Sequence, residues 1–136
     1  MEHSTDELVR VFFRTKAAAY ASPTTVKAWM DSGSQDFVLV DVRLPGATRT
    51  WQIPGSLAIP ATQMGERCNE LPKDKMIVLY CWDTWCSLAT TAAVVLADHG
   101  YRVKELFGGV AAWQVLHLPE ERIAESTVSP SPTCTC

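Results

Sequence analysis

Apolar residues along this chain form two kinds of stretch: continuous runs, and runs in which apolar positions recur every three or four residues. Continuous runs of this length are typical of strands buried on both faces of a parallel sheet. They are DFVLVDVR, MIVLYC, YRVKELFGG and, shorter, SLAIP. The periodic runs predict helices at about residues 5–20 and over ASPTTVKAWMDSG, ATQMGERCNELP, SLATTAAVVLADHG and GVAAWQVLHLP. Because strands and helices alternate, we predict an α/β fold whose mostly parallel central sheet is flanked by helices.

Capping and helix-breaking residues indicate where the predicted helices begin and end. These signals are Thr5 or Asp6 for the first helix, Ser22, Pro23 and Gly33 for the second, Ser87 and Gly100 for the fourth, and Pro119 for the fifth. They divide the chain into an N-terminal helical extension at residues 1–21 and a single domain at 22–118. Residues 119–136 lose the periodicity and become rich in Ser, Thr and Pro, so we predict a flexible tail there.

Composition narrows the class of protein. The chain has 136 residues, of which 47% are hydrophobic and 20% charged, as expected for one globular domain. Its net charge of −3 and the lack of a basic cluster argue against nucleic acid as a partner. The sequence has no targeting signal and no apolar run long enough for a membrane span. Five irregularly spaced cysteines do not resemble a secreted disulfide framework, so we expect a cytoplasmic protein without membrane partners.

Two of these cysteines occupy a position suited to a reactive thiol. Cys81 follows a predicted buried strand, and Cys86 lies where the next helix begins. Ligands of parallel α/β sheets bind beyond the carboxyl ends of the strands, where Asp41 and Arg43 also lie. A helix N-terminus and a curled loop of backbone N–H groups, from Trp82 onward, would stabilise a thiolate or a persulfide anion on Cys81.

Four motifs in order, LVDVR, IPGSLAIP, IVLYC with a short loop and helix, and ELFGGVAAW, resemble the rhodanese-like domain over about residues 22–114. The resemblance implies the three-layer rhodanese α/β fold and a catalytic cysteine at the first loop position, Cys81. It implies a sulfurtransferase that takes a sulfane sulfur from a small donor such as thiosulfate or a persulfide. The sulfur is held as a Cys81 persulfide and passed to cyanide, a small thiol or a protein thiol. No cofactor and no metal are expected.

This chain departs from the family pattern at several loop positions. The expected substrate-binding residues are Trp82, Asp83, Thr84, Trp85, Cys86, Ser87 and Arg43. Cys86 stands where many family loops carry an arginine, and Asp83 adds negative charge, so we expect weak use of thiosulfate. Trp51 and Gln52 replace the family's Gly-His before IPG, which changes one support of the site. Arg43 is then the nearest candidate cation.

Alternative functions remain open from the sequence. Phosphatases of the cell-division-cycle type share the fold, but their longer loop ends in a phosphate-gripping arginine that neither Cys86 nor Ser87 supplies, so phosphoryl transfer is disfavoured. One alternative is a non-catalytic rhodanese-like binding or regulatory module. Another is a thiol–disulfide redox protein that uses Cys81 and Cys86. The spacing C-x4-C without a further pair of ligands falls short of a zinc site.

Several residues have two interpretations of similar weight. Cys86 is either a resolving thiol that attacks an oxidised or persulfidated Cys81, or a filler for the missing arginine. Trp82 and Trp85 either form an apolar mouth or pack over the loop. We expect Asp41 and Arg43 to pair with each other or brace the loop. The residues read as structural, surface or incidental are Gly108, Gly109, Trp113, His99, His117 and the tail cysteines Cys134 and Cys136.

Overall fold

The computed structural model describes residues 2–123. The helices of this part of the chain are α1 (Thr5–Ala19), α2 (Pro23–Asp31), α3 (Met64–Arg67), α4 (Leu88–Asp98) and α5 (Gly109–Val115). The strands are β1 (Tyr20–Ala21), β2 (Phe37–Asp41), β3 (Trp51–Gln52), β4 (Leu57–Ala58), β5 (Met76–Tyr80), β6 (Arg102–Leu106) and β7 (Glu121–Arg122). Short 3₁₀ turns at Ala61–Gln63 and Cys68–Glu70 flank α3.

The central sheet has five strands in the order β1-β6-β5-β2-β4, and each neighbouring pair is parallel. Strand β5 lies in the middle, with Leu79 opposite Val40 on one side and Glu105 on the other. The predicted α/β fold with a mostly parallel sheet is confirmed. A separate antiparallel pair joins β3 to β7.

Alternate residues of the central strands pack into two hydrophobic layers, one on each face of the sheet. One layer contains Val40, Ile77 and Leu79 with residues of α3 and α4. The other contains Leu39, Val78 and Tyr80 with Val26 of α2 and Trp113 of α5. Burial on both faces explains why these strands read as continuous apolar runs, because neither side of the sheet meets water.

The helix boundaries follow the sequence signals closely but not everywhere. Ser22 caps α2 and Pro23 occupies its first turn, as predicted. The cap of α1 is Ser4, not Thr5 or Asp6: its hydroxyl accepts from Glu7 N, and the Glu7 carboxylate accepts from Ser4 N. This capping box, S-x-x-E, is a sequence signal that identifies the correct residue. Helix α5 ends before Pro119, at Val115.

Three very short strands were not predicted. Strand β1 lies within the region assigned to the N-terminal extension, yet it pairs with β6 and so belongs to the main sheet. Strand β7 lies in the predicted tail: Trp51 pairs with Arg122, and Gln52 pairs with Glu121. The prediction of a flexible tail from residue 119 is therefore wrong at its start. Cys134 and Cys136 lie outside the described residues.

Across residues 2–123, every helix is too short or too polar to cross a membrane. The longest, α1, has 15 residues, and none of them is buried. Its main contacts with the sheet are to the edge strand β1 and to β6, the strand next to it. Helix α1 therefore lies at the periphery of the fold, away from β2 and the middle strand β5.

Tyr80 is the last residue of the central strand, and its buried hydroxyl group both donates and accepts a hydrogen bond. It donates to Ser56 Oγ at 2.8 Å and accepts from Ile53 N at 3.2 Å. Burial raises the pKa of Tyr80 well above its ordinary value, and the nearby Asp41 carboxylate raises it further. The hydroxyl thus links the IPGS segment to β5, which leads directly into Cys81.

We predict that Tyr80→Phe lowers the free energy of unfolding by about 1–3 kcal/mol, because Ile53 N loses a buried acceptor. The unfolded chain releases the tyrosine proton at about pH 10, whereas the folded chain holds it to higher pH. The stability that the Tyr80 hydroxyl contributes is therefore fully present below about pH 10, the pKa of the unfolded chain. It is lost as the pH rises from there through the higher pKa of the folded chain. Urea unfolding should show the difference between wild type and Tyr80→Phe shrinking as pH rises past that point. Tyr20→Phe is the control, since the Tyr20 hydroxyl makes no hydrogen bond within residues 2–123; equal effects of both variants would contradict the prediction.

Candidate functional site

Cys81 follows β5 immediately, and four loop residues separate it from Cys86 near the start of α4. The strand ends at the carboxyl edge of the sheet, where ligands of parallel sheets bind. Both sulfur-bearing residues are largely buried, Cys81 being 2% exposed and Cys86 8% exposed. The loop between them carries the half-buried Trp82 and Asp83.

The two cysteines form a disulfide bond with a Cα–Cα distance of 6.3 Å. That distance lies within the range that disulfides normally span. Cys86 is therefore not only a filler for the missing arginine: its sulfur reaches the Cys81 sulfur. Cys68 is the free cysteine of the described residues, and it is buried in the core beside α3.

Asp83 turns its carboxylate back onto the loop. Its Oδ1 accepts hydrogen bonds from Trp85 N at 2.9 Å and from Cys86 N at 3.1 Å. A side chain that bonds to backbone amides two and three residues ahead fixes a tight turn. Two of the amides expected to surround an anion on Cys81 thus donate to an internal carboxylate instead.

The first turn of α5 supports the other side of the loop. Val110 N donates to Cys81 O at 3.0 Å, and Ala111 N donates to Trp82 O at 2.9 Å. Gly109 has a φ of +60°, and a Cβ there would lie 2.6 Å from Cys81 O and 2.9 Å from Asp83 N. A glycine is therefore needed at this position for both its conformation and its lack of a side chain.

Arg43 is held in a buried ion pair, as expected. Its Nη2 lies 2.7 Å from Asp41 Oδ2, its Nε lies 3.0 Å from Asp41 Oδ1, and Nη2 also donates to Trp51 O at 2.6 Å. Arg49, which the sequence did not single out, adds a bond of 3.1 Å from its Nε to Asp41 Oδ2. The Arg43 guanidinium stacks on Trp82, with 4.6 Å between Cζ and the ring centroid. Arg43 thus braces the loop through Trp82 while its charge is matched by Asp41.

A cavity of about 210 Å³ lies beside the two cysteines. Asp83 and Glu105 line it, together with the Gly108–Gly109 turn, and among residues 2–123 its lining includes no Lys or Arg. Glu105 comes from β6 and opens the ELFGGVAAW motif, but the sequence did not single it out as a site residue. An anion in this space would meet two carboxylates and no basic side chain, so dianionic molecules are disfavoured there.

The remaining loop residues separate into different environments. Trp82 packs against both core layers, whereas Trp85 is 85% exposed, so the two tryptophans do not form one apolar mouth. Thr84 lines the cavity. Ser87 occupies the N-cap position of α4 without a capping hydrogen bond from its side chain, and its carbonyl accepts from Thr91 N at 2.9 Å. No group of three or more His, Cys, Asp or Glu within residues 2–123 is arranged to hold a metal ion.

The comparisons with known proteins agree on one family. The model described as the rhodanese-like domain matches residues 22–116. A protein named Sulfurtransferase from Allochromatium vinosum is 35% identical over 86 residues, which are 63% of this chain and 79% of that protein. The HTH-type transcriptional regulator Rv0324 of Mycobacterium tuberculosis is 36% identical over 84 residues, which are 62% of this chain and 37% of the regulator. The chain therefore spans little more than a third of that relative. A crystal structure of a full-length protein from Lactobacillus plantarum superimposes with a TM-score of 0.80 at 30% identity, covering 88% of this chain and 100% of that one.

We predict that Gly109→Ala lowers the free energy of unfolding by about 2–4 kcal/mol, because it adds left-handed strain and a clash with the loop backbone. Reactivity of the reduced Cys81 with a thiol reagent should change as the loop shifts. Gly65→Ala is the matched control, since a Cβ added at Gly65 would meet no neighbouring side chain or backbone within 4 Å and the residue lies inside helix α3. Chemical unfolding and thiol-modification rates measure both effects. If Gly109→Ala were as stable as Gly65→Ala, the loop would not depend on this contact.

Proposed function

Because the chain belongs to the rhodanese-like domain family, we propose that it is a sulfurtransferase whose nucleophile is Cys81. In this proposal the Cys81 thiolate attacks the outer sulfur of a donor, the bond from that sulfur to the rest of the donor breaks, and Cys81 becomes a persulfide while sulfite or a thiolate leaves. A thiophilic acceptor, such as cyanide, a small thiol or a protein thiol, then removes that sulfur. No cofactor takes part. A reducing compartment such as the cytoplasm would supply the thiols that keep Cys81 reduced.

The observation that carries the proposal is the position of Cys81. It directly follows the central strand of a parallel sheet and opens onto a cavity of about 210 Å³. A thiol in such a place is both held rigidly by the strand and reachable through the cavity. The amides of Val110 and Ala111 fix the carbonyls of Cys81 and Trp82, so the loop holds its shape while the sulfur reacts.

The charges around the cavity favour a donor other than thiosulfate. Thiosulfate is a dianion, and the cavity presents Asp83 and Glu105 without a basic side chain. Arg43 does not line the cavity: its guanidinium is buried against Asp41, a carboxylate that Arg49 also contacts. We therefore propose an organic persulfide, on a small molecule or on a protein cysteine, as the preferred donor.

A thiol–disulfide redox protein is the second candidate, and the Cys81–Cys86 disulfide is the observation that favours it. In that function electrons pass between this disulfide and the thiols of another molecule, and no sulfur atom is transferred. The two candidates differ in mass balance. Sulfur transfer adds one sulfur to the reduced chain, whereas redox exchange only removes two hydrogens.

We predict that reduced Cys86→Ser, in which the disulfide cannot form, gains the mass of one sulfur when treated with an organic persulfide. Adding cyanide should then release the sulfur as thiocyanate and restore the original mass. With Cys134→Ser and Cys136→Ser present throughout, Cys81→Ser/Cys86→Ser should gain nothing, while Cys68→Ser/Cys86→Ser should behave like Cys86→Ser. Intact-mass spectrometry reads all three. No adduct on Cys86→Ser with any donor would refute the sulfurtransferase and leave a binding module.

We predict that Asp83→Asn raises the second-order rate of sulfur uptake from thiosulfate by about tenfold, because one repulsive charge disappears. The asparagine oxygen can still accept from the amides of Trp85 and Cys86, so the turn is kept. Uptake from the persulfide of a neutral thiol, which carries a single negative charge, should rise less. Stopped-flow or quenched-mass measurements on the Cys86→Ser background give both rates. A parallel change with the two donors would contradict a charge effect.

A further inference from the structure

We propose that Cys86 resolves the persulfide on Cys81, so that the transferred sulfur leaves as hydrosulfide and the two cysteines join in a disulfide. The proposal rests on the proposed sulfurtransferase function and names the fate of its sulfur. The protein would then convert persulfides into hydrosulfide and thiol, in addition to passing sulfur to an external acceptor.

The geometry of the loop carries this inference. The sulfurs of Cys81 and Cys86 reach bonding distance, with 6.3 Å between the two Cα atoms. Asp83 Oδ1 holds the amide of Cys86 at 3.1 Å, which positions this residue at the end of the turn. Both cysteines line the same cavity. When a sulfur atom is added to Cys81, the Cys86 sulfur can therefore reach Cys81 Sγ, which is the inner sulfur of the persulfide.

The charges of the cavity disfavour long storage of the sulfur. A persulfide carries a negative outer sulfur at neutral pH, and here Asp83 and Glu105 face the same space. Two backbone amides of the loop, those of Trp85 and Cys86, already donate to Asp83. Like charge raises the free energy of the stored anion, whereas the disulfide that replaces it is neutral.

The chemistry balances in two steps. First, a donor RSSH gives its outer sulfur to the Cys81 thiol, which forms Cys81–SSH and releases RSH. Second, the Cys86 thiolate attacks the Cys81 Sγ, the bond from Sγ to the outer sulfur breaks, and hydrosulfide departs. The proton of Cys86 and that of the persulfide leave with it as hydrogen sulfide. The outer sulfur is reduced, and the two cysteine sulfurs supply the electron pair by becoming a disulfide.

A dithiol protein or small dithiol must then reduce the disulfide for the next turnover. Exchange with its two thiols returns Cys81 and Cys86 to the reduced form and leaves the dithiol oxidised. The overall reaction consumes one persulfide and one dithiol, and yields one thiol, one hydrogen sulfide and one oxidised dithiol. Trp85, which precedes Cys86 in the chain, is 85% exposed and so is open to contact by such a reductant.

The test is a single turnover of the reduced protein with an excess of glutathione persulfide and no added reductant. Hydrosulfide is captured as its bimane derivative, and the protein is analysed by intact mass. All variants carry Cys134→Ser and Cys136→Ser so that the tail thiols do not exchange. Glutathione released from the donor is itself a weak reductant of disulfides. The reaction is therefore quenched in acid at short times, so that each intermediate is preserved for analysis.

We expect protein with Cys81 and Cys86 intact to release one hydrosulfide per chain and to end two hydrogens lighter than the reduced form. Cys86→Ser and Cys86→Ala should instead keep one added sulfur and release no more hydrosulfide than buffer. Cys68→Ser is the matched control and should release hydrosulfide like the parent.

Three failing outcomes are possible, and they have two different meanings. If Cys86→Ser keeps its sulfur but the parent also keeps it without releasing hydrosulfide, the resolving role is wrong and the sulfurtransferase stands. If neither Cys86→Ser nor Cys86→Ala ever gains sulfur, the persulfide step itself is wrong and both proposals fail. Hydrosulfide release by the parent that persists in Cys86→Ala would also overturn the resolving role.

Discussion

The contact between the cysteine loop and the first turn of α5 is the constraint on which the site depends. Cys81 and Trp82 give their carbonyls to amides of α5, and the loop backbone lies so close to Gly109 that a Cβ would overlap Cys81 O at 2.6 Å. The contact fixes where β5 ends, and therefore where the Cys81 sulfur lies. Cys86, five positions after Cys81 in the chain, lines the same cavity.

The buried Asp41–Arg43 pair supports the loop from the opposite side. Burying charges is costly unless they are paired and hydrogen-bonded, and here the guanidinium makes a bidentate contact with Asp41, a bond to Trp51 O and a stack on Trp82. Arg43 is thereby used to hold the loop, and the cavity keeps only its acidic residues. The same interactions that order the site thus remove the positive charge that a thiosulfate enzyme would use.

Much of the fold could be predicted because it depends on burial along the chain itself. The strands β2, β5 and β6 are apolar runs, and their order with the helices indicates a parallel sheet. The two-residue strands β1, β3 and β7 could not be found this way, since their partners lie far away in sequence and they have no periodicity of their own.

The sequence pointed to candidate residues of the site but not to most of their contacts. Cys81 and Arg43 were singled out by their positions after strands and Cys86 by its position before a helix, and the pairing of Arg43 with Asp41 is confirmed. Spacing alone left the role of Cys86 open, because only the folded loop shows that the two sulfurs meet. The turn made by Asp83, the contribution of Arg49 and the lining by Glu105 depend on tertiary contacts that no local pattern encodes.

The most direct test of the account is a crystal structure of reduced Cys86→Ser after treatment with an organic persulfide. The account predicts one extra sulfur atom on Cys81 Sγ, lying in the cavity beside the Gly108–Gly109 turn, with the Asp83 hydrogen bonds to the loop retained. Extra sulfur on Cys68 instead, or no extra sulfur on any cysteine, would contradict the claim that Cys81 is the sulfur carrier.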